Sequence, residues 1–294
     1  MVKVCFIYDP ESNERFLEII SKMTPGRSGE YKNIKGVTKI EDADYCVVID
    51  DTTKNVPLDR TIFLQAHPDE LKSLPSKPHR ILCKDEHTFG EWWLEADYDT
   101  LKSLAPMSKS KKLCCIISDA HNIKGHKDRR IFLEKLCKKY PNKIDVYGRI
   151  KPTLDEQNIA KCYKGYLGPA FSSTTYWFGK DTILSQYEYS LELEALVSKH
   201  YFSERIYDAL LMWTIPISWG CPNLGDWLPK DSFYSIDIYK DGTEDEVINF
   251  INRDYGNMRS VMIIDSIAKS RELILDSYQL WAKAHDYINN RMTK

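Results

Sequence analysis

The sequence predicts an α/β protein built from two tandem units, each a mainly parallel, Rossmann-like sheet with crossover helices. Three observations carry this expectation. Short apolar runs of strand length alternate with amphipathic or loop segments through the first hundred residues. A Lys-, Ser- and Pro-rich stretch without periodicity, centred near Ser108, interrupts that series. A second alternating series follows it. The 294 residues, 43% of them hydrophobic, suffice for one large core or two medium ones, and the length favours about two domains.

In the first unit, "VKVCFIYD" has the pattern of a buried strand and leads through polar turn residues to the amphipathic "ERFLEIISKM". "ADYCVVID", "RTIFLQA" and "HRILCKD" read as further short strands. "LKSLAPMSKSKK" is the candidate linker. In the second unit "KLCCIIS" reads as a strand and "DRRIFLEKLCKKY" as a helix, with Ile131, Leu133, Leu136 and Cys137 at helical spacing. "KIDVYG" is a strand closed by glycine, "ERIYDALLMW" a helix and "TIPISWG" a strand. "TEDEVINFINR" is a helix that opens with acids, as the macrodipole favours. The tail "SIAKSRELILDSYQLWAKAHDYINNR" reads as one long amphipathic helix. The expected division is residues 1–108, 109–270 and a terminal helix at 271–294, with a ligand in the cleft between the units at the carboxyl ends of strands.

Composition excludes several classes. The formal net charge of -2 gives no global basic field for nucleic acid. No apolar run approaches the ~20 residues that span a bilayer, and "MVKVCFIYDP" does not read as a secretory signal. A soluble, cytoplasmic protein is expected. The eight cysteines form no Cys-x-x-Cys pair and read as reduced core residues. There is no G-x-G-x-x-G, no P-loop and no H-E-x-x-H. The pair Asp42 and Asp44 precedes a strand rather than ending one, so no metal site is expected there. Without a metal, a diphosphate must be neutralised by Arg, Lys and helix N-termini. Ser203 is a candidate N-cap with Glu204 and Arg205 in the first turn behind it; ordinary capping and phosphate binding both fit that pattern.

"YEYSLELE", followed ten residues on by "YFSERIYDALLMWTIPISWGCPN", resembles the signature of glycosyltransferase family 10, the α-1,3/1,4-fucosyltransferases. "CIISDAHNIKGHKDRRIFLEKLCKKYPNKIDVYGR" resembles a second block of that family, with its Ser-Asn, Arg-x-x-Phe/Tyr and Val-Asp-Val-Tyr-Gly-Arg segments. The two blocks cover roughly residues 113–235. The resemblance implies a GT-B fold, an N-terminal acceptor domain, a C-terminal donor domain and inverting transfer from GDP-fucose to a glycan hydroxyl, with no obligatory metal or other cofactor. It implies a diphosphate contact for Arg129, a nucleotide-site role for Tyr201, a ribose contact for Glu204 and a donor role for Glu194. Arg205 stands where the family has a phosphate-binding lysine. Ser118, Ser203 and Gly220 fall in the same blocks as donor-site candidates. The family's asparagine after Glu194 is Ala195 here and the serine after that is Leu196. A different donor sugar, or a non-catalytic sugar-nucleotide or glycan-binding relative, therefore remains open.

In the first unit, "TIFLQAHPDEL" can be laid on the family segment whose glutamate before proline is the general base. His67 takes that position, with Asp69 and Glu70 as alternatives. An imidazole, whose ordinary pKa is about 6.5, is a competent base for a sugar hydroxyl. Trp92 and Trp93 are candidates for stacking on an acceptor sugar, or for interface packing.

Overall fold

The computed structural model describes residues 1–150, 152–167, 179–253 and 257–292. The first unit contains strands β1 (Val2–Ile7), β2 (Glu30–Tyr31), β3 (Ile34–Val37), β4 (Tyr45–Ile49), β5 (Thr61–Leu64) and β6 (Arg80–Ile81), in the order β2-β3-β1-β4-β5-β6. All pairings are parallel except the short β2–β3 pair. The apolar runs predicted this. Val4 and Phe6 face one core while Cys5 and Ile7 face another, so both sides of β1 are buried. Helix α1 (Asn13–Ser21) starts where the Ser12 hydroxyl accepts from the Arg15 amide. Helix α2 (Tyr98–Ser103) is capped by Asp97 and buries Leu101. It takes up the first residues of the expected linker, because a buried leucine and an N-cap outweigh the polar composition around them.

The second unit contains β7 (Lys111–Ile116), β8 (Asp145–Tyr147), β9 (Tyr163–Gly165), β10 (Tyr187–Leu193), β11 (Ile215–Trp219) and β12 (Tyr234–Ser235), in the order β12-β11-β10-β7-β8-β9, all parallel. Its helices are α3 (Lys124–Lys139), α4 (Gln157–Cys162), α5 (Lys180–Leu184), α6 (Glu204–Leu211) and α7 (Thr243–Ile251). The eight cysteines are buried and free. Among the described residues no helix is long and apolar enough to cross a membrane.

The tail differs from the single helix its periodicity predicts. Helix α8 (Asn257–Leu273) runs through a π-helical turn (Ile274–Tyr278) and stops at Gln279, whose ψ of 157° is extended; α9 (Leu280–Tyr287) then begins. Tertiary contact explains the break. Gln279 bridges to Gly90, the Gly90 amide donates to the Tyr278 carbonyl at 2.7 Å, and the Gln279 side chain caps α9. Beyond the break the chain crosses back onto the first unit. Trp281 packs on Phe6 with ring centroids 4.5 Å apart and donates from Nε1 to the Ile20 carbonyl.

One contiguous core joins the two units through α6 and α9. A buried polar contact crosses the same junction. His87 stacks on Phe202 and donates from Nδ1 to the His200 carbonyl at 3.1 Å, since a carbonyl can only accept. Its Nε2 therefore accepts from the Tyr207 hydroxyl. Burial, then Lys283, pushes this imidazole down to about 3. The unfolded chain binds the proton at the ordinary 6.5, so this contact stabilises fully above that value and is lost as pH falls toward 3. At ~1.4 kcal/mol per unit the penalty reaches on the order of 5 kcal/mol. Urea midpoints measured from about pH 7 to about pH 4 are expected to fall less steeply for His87→Gln than for wild type; parallel curves would refute the assignment.

Candidate active site

A cavity of about 480 Å3 lies between the units, within the usual range for small-ligand sites. Its second-unit wall is formed by Ser118, Asn122, His126, Arg129, Ala195, Tyr201, Ser203, Glu204 and Arg205. Its first-unit wall includes Tyr8, Glu11, Asp50, His67, Phe89, Glu91 and Trp93.

The basic wall is assembled at the ends of β7 and β10 and the starts of α3 and α6. Ser203 caps α6, and its own amide and hydroxyl both donate to Glu194 Oε1, at 2.8 and 2.9 Å. Arg205 Nη1 donates to Ser203 Oγ at 3.0 Å and lies 3.6 Å from Glu194 Oε2 and from Glu204 Oε1. Burial opposes the charge on Arg205, but Glu204 and Glu194 outweigh it and hold the guanidinium above its ordinary value. Arg129, only 1% exposed, donates to the Leu193 carbonyl at 3.3 Å and to Ser118 Oγ at 3.2 Å, while its Nε has no partner among the described residues. Burial and the nearby Arg205 lower it to about 10, so both guanidiniums are charged at neutral pH. Two fixed cations, the Ser118 hydroxyl and the first turn of α6 thus face one space, a donor set that suits a diphosphate.

The opposite wall carries a histidine–carboxylate pair. Asp50 follows β4 at φ +60°, in the left-handed region that aspartate adopts more readily than most residues. Its Oδ1 accepts from the Ala66 amide at 2.7 Å, and its Oδ2 accepts from Lys72 Nζ at 2.9 Å and lies 3.7 Å from His67 Nδ1. Burial would raise the Asp50 carboxyl, but His67, Lys72 and the Ala66 amide outweigh it and hold it below the usual carboxylate range. The His67 ring lies 6.4 Å, centroid to centroid, from Tyr201 on the basic wall. His67 and the basic wall therefore meet across one cleft.

Several expected site residues lie elsewhere. Asp69 accepts from Gln65 Nε2 at 2.7 Å, and neither it nor exposed Glu70 lines the cavity. Trp92 is fully buried and donates to the Ala96 carbonyl, so it is core rather than an acceptor platform; Trp93 does line the cleft. Glu194 is fully buried and acts through Ser203 and Arg205 rather than on the cavity. Gly220 has φ +142° and lies against Glu194, where a Cβ would come within 2.4 Å of that side chain. It makes room for the glutamate and does not line the cleft.

Sequence reasoning missed Asp50, Glu91 and His126. Asp50 closes an apolar strand, which is the position that α/β sheets use for ligands. Glu91 lies between Gly90 and the Trp pair, and it accepts from Trp93 Nε1 at 2.9 Å. Burial raises its carboxyl above the ordinary value, the Trp93 bond opposes, and Glu204 raises it further. The segment is held by the second unit. A Cβ on Gly90 would lie 1.5 Å from Tyr207, and the Trp93 amide donates to Asp208 at 2.9 Å, where Lys180 also binds.

Fold and cleft together define a GT-B glycosyltransferase architecture, and a solved structure agrees. The DNA-modifying enzyme β-glucosyltransferase superposes with a TM-score of 0.50 at 12% identity, over 98% of this chain and 100% of that one. An α1,3-fucosyltransferase solved with GDP covers 96% of this chain and 92% of its own at 14% identity, with a TM-score of 0.46. Residues 106–259 match the family description "Glycosyltransferase family 10 (fucosyltransferase) C-term". That is over half of the chain, which therefore belongs to glycosyltransferase family 10. Alpha-(1,3)-fucosyltransferase B of Drosophila melanogaster is 29% identical over 114 residues, 39% of this chain and 23% of that protein. Alpha-(1,3)-fucosyltransferase FucT of Helicobacter pylori is 40% identical over 73 residues, 24% of this chain and 15% of that protein. The matches thus span less than a quarter of either relative's length.

Proposed function

We propose that the protein is an inverting, metal-independent glycosyltransferase that moves fucose from GDP-fucose to a hydroxyl of a glycan. The observation that carries this reading is the division of one cleft. Arg129, Arg205, Ser118 and the α6 N-terminus form a diphosphate cradle, and the His67–Asp50 pair faces it. His67 takes the acceptor hydroxyl proton, the oxygen forms the new bond at the anomeric carbon, and the carbon–oxygen bond to the diphosphate breaks with its electron pair leaving on that oxygen. The two guanidiniums stabilise the charge that develops there, the kind of preorganised electrostatics that dominates catalysis. Asp50 orients the imidazole and stabilises its protonated form, as the third member of a triad does. The metal independence rests on that cationic cradle and predicts full activity in EDTA.

Ala195 favours a second reading of the donor. At the position where the family has an asparagine, the cavity is lined by Ala195, which has no side-chain hydrogen-bonding group, so a sugar other than fucose would lose less here than in its relatives. Thermal-shift screening separates the two. GDP-fucose is expected to raise the Tm more than other GDP-sugars or UDP-sugars do, and transfer to a glycan array should follow the same order. Equal shifts for all GDP-sugars would replace fucose with a broader donor class, and no shift for any nucleotide sugar would end the transferase reading.

A further inference from the structure

His126 sits in the first turn of α3 and lines the cavity beside the two guanidiniums. Its position is fixed by its neighbour. A Cβ on Gly125 would fall 1.8 Å from the Ala195 carbonyl, so the start of α3 lies directly against the donor wall. Its Nδ1 faces Asn122 Oδ1 at 2.8 Å, an acceptor, which places the proton on Nδ1 and leaves the lone pair on Nε2.

We propose that His126 is a proton-switched ligand for the donor diphosphate, neutral in the free protein and protonated once a diphosphate lies between Arg129 and Arg205. The inference rests on the donor-site reading above. The charged groups around His126 are Arg129 on its own helix, Arg205 on α6 and His121 on the preceding loop. Glu204 and Glu194 pair with Arg205, and the charges that act on the ring itself are those of the two arginines. Burial, then Arg129 and Arg205, holds the imidazole down at about 4. A bound sugar-nucleotide diphosphate brings two negative charges to the same place and reverses the sign of the local field, which favours the protonated ring. One proton is taken from solvent as the donor binds and is returned when the nucleoside diphosphate leaves. The cleft therefore captures donor more tightly as pH falls and releases product more readily as pH rises.

Isothermal titration of GDP-fucose without acceptor tests this, because its diphosphate diester has no group titrating near neutrality. Comparing two buffers of different ionisation enthalpy near pH 6 reads the proton uptake directly. Wild type is expected to take up close to one proton, and to bind about tenfold more tightly near pH 6 than near pH 8. His126→Gln is expected to take up none and to lose that pH dependence, while His121→Gln, outside the cavity wall, behaves as wild type. Uptake that persists in His126→Gln, or that disappears in His121→Gln, overturns the proposal. GDP-fucose binding without uptake in wild type overturns it alone, whereas no binding in any variant overturns the donor-site reading and the proposal with it.

Discussion

Arg205→Ala is expected to lower kcat for transfer from GDP-fucose by about 10^2–10^3-fold, the range measured when one preorganised stabiliser of developing charge is removed. KM should change less, because charge on the departing diphosphate is greatest in the transition state. The same substitution should cost stability. Arg205 lies 3.6 Å from buried Glu194 Oε2, an oxygen with no hydrogen-bond partner among the described residues. Removing the guanidinium strands that carboxylate, a loss of about 3 kcal/mol for a buried pair broken on one side. The two effects separate in Arg205→Lys. It keeps a charge facing Glu194 and Glu204 but not the fork geometry, so melting should recover more fully than turnover. An Arg205→Ala protein that melts low yet turns over at the wild-type rate would confine Arg205 to a structural role.

The strands were legible because parallel strands buried on both faces read as continuous apolar runs, as "VCFI" in β1 and "CVVI" in β4 do. The edge elements were not. Strand β9, "YKG", and helix α4, "QNIAKC", are short and contribute few buried residues, so tertiary pairing rather than local pattern places them. The break at Gln279 was illegible for a related reason. Glutamine is a good helix former, and only the approach of Gly90 to Tyr278 and Gln279 makes the extended ψ worthwhile.

The same distinction divides the site. The basic wall was legible because Glu194, Tyr201, Ser203, Glu204 and Arg205 fall within a dozen residues, and local geometry brings most of them together. What the pattern could not show is direction. The Glu194 carboxylate turns to the Ser203 amide and hydroxyl instead of the cavity. The first-unit wall is tertiary throughout: Asp50 follows one strand, His67 follows the next, and Glu91 arrives on a loop pinned by α6. The sequence points to His67 but not to Asp50, 3.7 Å from it, since nothing in the spacing of β4 and β5 reveals that their ends meet.

That meeting makes the second large effect. His67→Ala is expected to reduce kcat by about 10^2–10^4-fold, the usual contribution of a general base, with GDP-fucose binding preserved. Asp50→Asn should lower kcat as well, because the amide cannot stabilise the imidazolium that forms during transfer. It should also lower stability modestly through the lost Lys72 contact. Combining the two substitutions should cost little more than His67→Ala alone, since Asp50 acts only through the ring it orients. Glu91 is the rival base, a carboxyl raised by burial in the same cleft and already fixed by Trp93. Glu91→Gln keeps that indole bond and should spare most of kcat if His67 takes the proton. If Glu91→Gln abolishes turnover while His67→Ala retains it, the base is the carboxylate on the loop and the His67–Asp50 pair serves to hold the acceptor.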